Sequence, residues 1–155
     1  MSRGVRWAAV WAVAAVLAGC GADTARPGAA PPPPLSGAGQ TACRDALATQ
    51  KVRWAAFDGR WGEVLRALDS GDETGSAAAG EIASQELYEW ARELGLLLPR
   101  APDPPLRTGL EGAISALNAL AAPEDETPAN EMRARVRDAA QQVAGVCGGT
   151  APPVP

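Results

Sequence analysis

The chain has 155 residues, with 14 basic and 18 acidic side chains, no histidine and a formal net charge of −4. The absence of histidine excludes a Ser-His-Asp or Cys-His catalytic group, a histidine metal ligand and a histidine-bound haem. Because the chain is acidic and has no strong basic cluster, we expect no nucleic-acid partner. Because histidine is absent, we also expect neither a metal nor a cofactor.

The first segment has the pattern of a signal peptide. Arg3 and Arg6 precede an uncharged apolar stretch over residues 7–17. That stretch of about 11 residues is shorter than the roughly 20 that a membrane-spanning helix needs. It ends at the tetrad Leu17-Ala18-Gly19-Cys20. The alternative is an ordinary secretory signal in which Cys20 is incidental.

This tetrad resembles the lipobox of bacterial lipoproteins. The resemblance covers about the first 20 residues. It implies cleavage after residue 19, acylation of Cys20 and a lipid anchor that holds the protein on the extracytoplasmic face of the cell membrane. Together with the composition and periodicity of the rest of the chain, it predicts a signal peptide over 1–19, a lipidated and Pro-rich disordered tether over 20–40, a helical domain over 41–147 and a disordered tail over 148–155.

The first predicted helix has apolar residues at alternating spacings of four and three. The residues at these positions, which are predicted to face the core and which we call the seam, are Cys43, Leu47, Gln50, Trp54, Phe57, Trp61, Val64 and Leu68. This period is typical of an amphipathic helix. Thr41 is its predicted N-cap and Ser70-Gly71 its end, while Asp58-Gly59 indicates a bend in preference to a turn.

Three further helices follow with the same spacing. The second begins between Asp72 and Gly80 and ends before Pro99. The third begins at Pro104 with Asp103 as its cap, and the fourth begins at Pro128 with Thr127 as its cap. Their predicted inward residues are Ala83, Leu87, Trp90, Leu94 and Leu97, then Leu106, Leu110, Ala113, Leu117 and Leu120, then Met132, Val136, Ala139, Val143 and Val146. Short connections favour antiparallel neighbours and hence an all-α, up-and-down four-helix bundle.

Two cysteines remain once Cys20 is assigned to lipid. Cys43 and Cys147 lie near the two ends of the helical region, and oxidising conditions outside the cytoplasm favour their pairing. A disulfide would place both at the same end of the domain, as an even number of antiparallel helices requires. A reactive thiol or a two-cysteine metal site is the alternative.

Four aromatic residues are the candidate ligand-binding residues. All four lie on predicted seams: Trp54, Phe57, Trp61 and Trp90. Core packing is therefore the simpler interpretation, and the alternative is that they line a pocket for a small apolar ligand. Glu86, Glu89 and Glu93 share one side of the second helix, where we expect a solvated face rather than a catalytic pair.

These patterns favour a non-enzymatic envelope lipoprotein that binds a protein partner or a small apolar ligand. The alternatives are an accessory or structural subunit of an envelope complex and a cell-wall hydrolase that uses carboxylates. No catalytic residue is predicted.

Overall fold

The computed structural model describes residues 34–122 and 127–149. Within them the chain forms four α-helices and no strand. These are α1 Gly37–Ser70, α2 Glu73–Gly95, α3 Pro104–Ala121 and α4 Met132–Cys147, with a short 3-10 helix, Leu98–Arg100, between α2 and α3. Each helix packs against the next, and α4 returns to α1. The predicted up-and-down four-helix bundle is therefore confirmed.

Several predictions concern residues outside these ranges. The signal peptide, Cys20, the tether up to residue 33, the acidic residues 124–126 and the tail from residue 150 lie outside the described residues.

Helix α1 begins five residues before the start predicted from Thr41 as its N-cap. Ser36, in extended conformation, is the N-cap, and its hydroxyl accepts a hydrogen bond from the Gly39 amide at 3.1 Å. Thr41, the predicted cap, lies inside the helix and donates to the Gly37 carbonyl at 3.1 Å. The predicted boundary between tether and domain at residue 40 is therefore wrong. The folded part includes Leu35, which packs against the core.

The centre of α1 contains no turn. The helix runs without interruption through Asp58 and Gly59, because the seam on both sides of that pair is buried at Phe57 and Trp61. It ends at Ser70 as predicted. Gly71 follows in the left-handed conformation, with φ of 73°, which suits glycine at a helix C-terminus.

The starts of α2 and α3 are close to those predicted. Asp72 caps α2 by accepting a hydrogen bond from the Gly75 amide at 2.8 Å. Helix α3 begins at Pro104 with Asp103 at its N-cap position. The Asp103 carbonyl accepts from the Arg107 amide at 3.0 Å, but its side chain makes no capping hydrogen bond. The predicted cap position of Asp103 is therefore confirmed, while its carboxylate is bound by Ser36 and does not bind the first turn of α3.

Helix α4 begins at Met132 rather than at Pro128. The Glu131 and Met132 amides both bind the Pro128 carbonyl, which closes a turn before the helix. The next carbonyl, that of Ala129, accepts a hydrogen bond from the indole of Trp61 at 3.0 Å. It is therefore engaged by α1, and the regular helix starts only after this turn.

The core is made of the predicted seams with few exceptions. All inward residues predicted for α2 are buried, whereas Leu47, Leu120 and Val146 are half-buried. Leu68 is 48% exposed, so its predicted place in the core is wrong.

Candidate functional site

The two ends of the described chain meet at one end of the bundle. Cys43 and Cys147 form a disulfide with an S–S distance of 2.04 Å and a Cα–Cα distance of 5.4 Å, as predicted. The cysteines are 104 residues apart. In the chain-entropy description, closing a loop of about 100 residues stabilises the folded state by about 4.7 kcal/mol. We call this end, formed by residues 35–47, 96–107 and 146–149, the disulfide pole.

A second connection at the disulfide pole joins α1 to α3. The Ser36 hydroxyl donates to Oδ2 of Asp103 at 2.8 Å, and the Ser36 amide donates to Oδ1 at 3.2 Å. A methyl group at Gly39 would overlap Oδ2 of Asp103, so this approach requires glycine there. The start of α1 is thus held by side chain and backbone together.

Two surface grooves open at the disulfide pole. One is lined by Ala38, Thr41, Pro99, Arg100 and Pro102. The other lies over the disulfide and is lined by Leu35, Gly37, Gln40, Thr41, Cys43, Arg44, Leu47 and Cys147. Both are shallow surface features at the start of α1, and both contain an arginine.

Three of the four candidate aromatic residues form a row along α1. The ring centroids of Trp54 and Phe57 are 6.0 Å apart, and those of Phe57 and Trp61 are 5.8 Å apart with the planes nearly parallel. Phe57 is fully buried, and both tryptophans are 8% exposed. Aromatic pairs at such separations stabilise a core beyond the area they bury. The row therefore has the contacts and burial of core packing.

Trp90 is the fourth candidate and lies on α2. Its side chain is fully buried, and its indole N–H has no hydrogen-bond partner among the described residues. A buried donor without a partner costs about 1–3 kcal/mol. Trp61 differs, because its N–H reaches the Ala129 carbonyl.

Arg53 bridges α1 and α2 through two of the three glutamates that were predicted to form a solvated face. Its Nη1 donates to Glu86 at 3.0 Å, and its Nε donates to Glu93 at 3.0 Å, with Nη2 bound to the second oxygen of Glu93. All three side chains are partly buried. The prediction of a solvated face is therefore wrong for Glu86 and Glu93, while Glu89 is exposed and pairs with Arg92.

These contacts set the ionisation of the bridge. Hydrogen bonding from Arg53 lowers the pKa of Glu93 against the opposing effect of burial, and the charge of Arg92 adds to the lowering. Hydrogen bonding to Glu93 raises the pKa of Arg53. Arg53 and Glu93 are thus held in their charged forms. That state opposes use of Glu93 as a general acid, which needs a raised pKa.

A further ion pair joins α4 to α1. Arg133 Nε donates to Asp58 Oδ1 at 2.6 Å, and its Nη2 approaches the Asp58 carbonyl at 3.4 Å. Both side chains are mostly buried. Together with the bond between Trp61 and Ala129, this pair fastens the start of α4 to the middle of α1.

The described residues hold no cluster of metal ligands. Nowhere in residues 34–122 and 127–149 do three or more Cys, Asp or Glu side chains gather so that they could hold a metal ion. Of the helices described, none combines the length and apolar composition needed to cross a bilayer. No family model, curated protein or solved structure matches the chain.

Sequence reasoning missed the contacts between helices. Arg53 adjoins the seam residue Trp54, and Glu86 and Glu93 are seven residues apart and so share one face of α2. Charges that flank a seam at this spacing typically pair across a helix interface, which was the available signal. Ser36 precedes a helix as an N-cap residue does, but nothing local indicates that it binds Asp103.

Proposed function

We propose that the protein is a lipid-anchored, non-enzymatic protein of the bacterial cell envelope, whose helical bundle binds a protein partner. The tetrad that ends at Cys20 supports the anchor by its likeness to a lipobox. The observation that carries the proposal is the pairing of Cys43 with Cys147, because disulfides persist in exported proteins and are rare in the cytosol.

Binding is favoured over catalysis by the state of the carboxylates. Glu86 and Glu93 are partly buried, and both form ion pairs with Arg53 on the neighbouring helix. The lowered pKa of Glu93 does not suit the protonated acid that glycoside hydrolysis requires. This supports a non-enzymatic role over the alternative of a cell-wall hydrolase.

A protein partner is favoured over a small apolar ligand by the packing of the aromatic residues. Trp54, Phe57 and Trp61 contact one another, and Trp90 is fully buried. Apolar ligands usually occupy concave sites lined by exposed rings. With these rings occupied by core contacts, the outer surface of the bundle is what remains for recognition.

The anchor is tested by mass spectrometry of the membrane fraction from a bacterial host. We expect a chain that begins at an acylated Cys20, and we expect Cys20→Ser to leave the membrane fraction. Thr24→Ala is the matched control, since it alters the same segment and keeps the cysteine. Unmodified soluble protein in the wild type would contradict the proposal.

The type of partner is tested by native mass spectrometry of the protein extracted in mild detergent from its own host. We expect a co-purifying protein at a fixed ratio and no small molecule beyond the acyl chains. A retained apolar molecule whose release accompanies substitution of Trp54 by alanine would instead favour the ligand-binding alternative.

A further inference from the structure

Three arginines gather at the disulfide pole. Arg44 donates to the Thr41 hydroxyl at 3.2 Å, and Thr41 lines the same groove as Arg100. Arg107 donates to the carbonyls of Leu98 and Ala101, on either side of Arg100, at 3.2 and 3.4 Å. All three arginines are exposed. The three side chains therefore lie at the same pole of the bundle.

The acidic residues at the same pole are already engaged. Asp103 accepts from Ser36, and Asp45 pairs with Arg100 at 2.7 Å. Arg44 and Arg107 contact only neutral acceptors and make no ion pair within the described part of the chain. The pole thus holds three arginines against two aspartates, a net charge of +1, although the whole chain is acidic.

The turn between α1 and α2, at the opposite end of the bundle, has the opposite charge. Around the turn between α1 and α2, Arg66 is the only basic residue of the segment 66–81. Its acidic residues are Asp69, Asp72, Glu73 and Glu81. An anionic surface therefore attracts the molecule in one orientation and repels it in the other.

The covalent path of the chain favours the same orientation. The described chain begins at Pro34, two residues before the bond between Ser36 and Asp103. The segment that carries Cys20 joins the bundle there. A tether holds its domain at a high local concentration, so weak contacts at the anchored surface become populated. Leu96, 63% exposed, adds an apolar side chain to this pole.

We propose that the disulfide pole docks on anionic phospholipid headgroups through Arg44, Arg100 and Arg107, so that the α1–α2 turn points away from the bilayer. This inference rests on the proposed lipid anchor for its tethered form. Basic side chains beside an anionic leaflet are attracted to it, and the attraction weakens with salt.

The experiment is arginine labelling on vesicles. Acylated protein is reconstituted in vesicles of phosphatidylcholine alone, or of phosphatidylcholine and phosphatidylglycerol in equal parts. An arginine-selective dicarbonyl reagent then reports each site by peptide mass spectrometry. We expect several-fold slower labelling of Arg44 and Arg107 on the anionic vesicles, reversed by salt, and no change at Arg66. Equal rates on both vesicles, or slowing at Arg66 instead, would overturn the proposal.

Variants separate docking from anchoring. We expect Arg44→Gln with Arg107→Gln to abolish salt-sensitive cosedimentation of unacylated protein with anionic vesicles. The matched control, Arg60→Gln with Arg66→Gln, removes the same charge from the other half of α1 and should preserve it. The two tests are independent. If Cys20 carries no lipid, the proposed anchor is wrong, but cosedimentation of unacylated protein still shows whether the disulfide pole binds anionic vesicles.

Discussion

The hydroxyl of Ser36 donates to Oδ2 of Asp103 at 2.8 Å and at the same time accepts from the Gly39 amide at 3.1 Å. One oxygen therefore caps α1 and joins it to the start of α3. Asp103 takes a second bond from the Ser36 amide at 3.2 Å. The two helix starts are coupled by residues 67 positions apart in the chain.

This coupling predicts a non-additive pair of substitutions. We expect Ser36→Ala and Asp103→Ala each to lower the free energy of unfolding by about 1–2 kcal/mol, through loss of a cap and of its partner. The double variant should lose less than the sum, as contacting residues do. Urea unfolding measures this. Thr41→Ala is the control and should change stability by less than about 0.5 kcal/mol. Additive losses would refute the coupling.

Replacing either of two helical glycines with alanine should change the stability of the protein, in opposite directions for the two sites. A Cβ at Gly109 would lie 2.8 Å from the backbone carbonyl oxygen of Gln142 and 3.2 Å from Val146, so α3 and α4 would have to separate. We expect Gly109→Ala to destabilise the protein by about 1–3 kcal/mol.

Gly59 provides the matched control for this test. A Cβ there meets nothing within 4 Å, and the residue lies on the exposed face of α1. Gly59→Ala should stabilise by about 0.5–1 kcal/mol, because alanine loses less conformational freedom in a helix. Thermal unfolding compares the two variants, and a gain in stability for Gly109→Ala would disprove the close approach.

Two buried tryptophans should differ in their tolerance of phenylalanine. Trp61→Phe removes the bond to Ala129 and leaves a carbonyl without its partner, whereas Trp90→Phe removes a donor that has none. Both create a similar small cavity. We expect Trp61→Phe to cost about 1 kcal/mol more than Trp90→Phe. Denaturant unfolding of the two variants decides, and equal losses would mean that the indole of Trp90 has a partner in solution.

The lowered pKa of Glu93 predicts that the free energy of unfolding falls in acid. Because Arg53 lowers that pKa in the folded state, the unfolded chain binds the proton more readily. Stability therefore rises with pH, is complete above the ordinary value of 4.5 and is lost as pH falls through the folded pKa. We expect Glu93→Gln to be less stable at neutral pH, and we expect its free energy of unfolding to depend less on pH in acid. Urea unfolding at a series of pH values measures both.

The control for this prediction is Glu81→Gln, which removes a carboxylate from the exposed face of the same helix. Glu81 makes no ion pair with the described residues, so its loss should change stability at neutral pH by less than about 0.5 kcal/mol. If Glu93→Gln loses no more than this control, the bridge to Arg53 does not contribute to stability in solution.

The fold could be predicted because its determinants are periodic. The seam of α2, from Ala83 to Leu97, is buried as its spacing indicates, since burial of one face is what holds an amphipathic helix in a bundle. The disulfide could be predicted as well, because only two cysteines remained and antiparallel helices bring both to one pole.

The helix starts could not be predicted reliably, because they depend on contacts between distant segments. Thr41 and Thr127 have the residue type of a cap, but Ser36 is bound by Asp103, and the Ala129 carbonyl is engaged by Trp61. Leu68 fits its seam and is exposed, since periodicity does not tell where a neighbouring helix stops. The bridge of Arg53 to Glu86 and Glu93 was not predicted either. It depends on how α1 and α2 are placed relative to each other, which the sequence pattern does not give.

The disulfide also determines how the molecule bears mechanical load. A force applied between the N-terminal and C-terminal ends of the chain passes directly from Cys43 to Cys147, so it stretches only the short segments outside that bond. The segment between the two cysteines, which are 104 positions apart in the sequence, carries no load. The bundle would keep its shape under tension that the covalent link alone withstands.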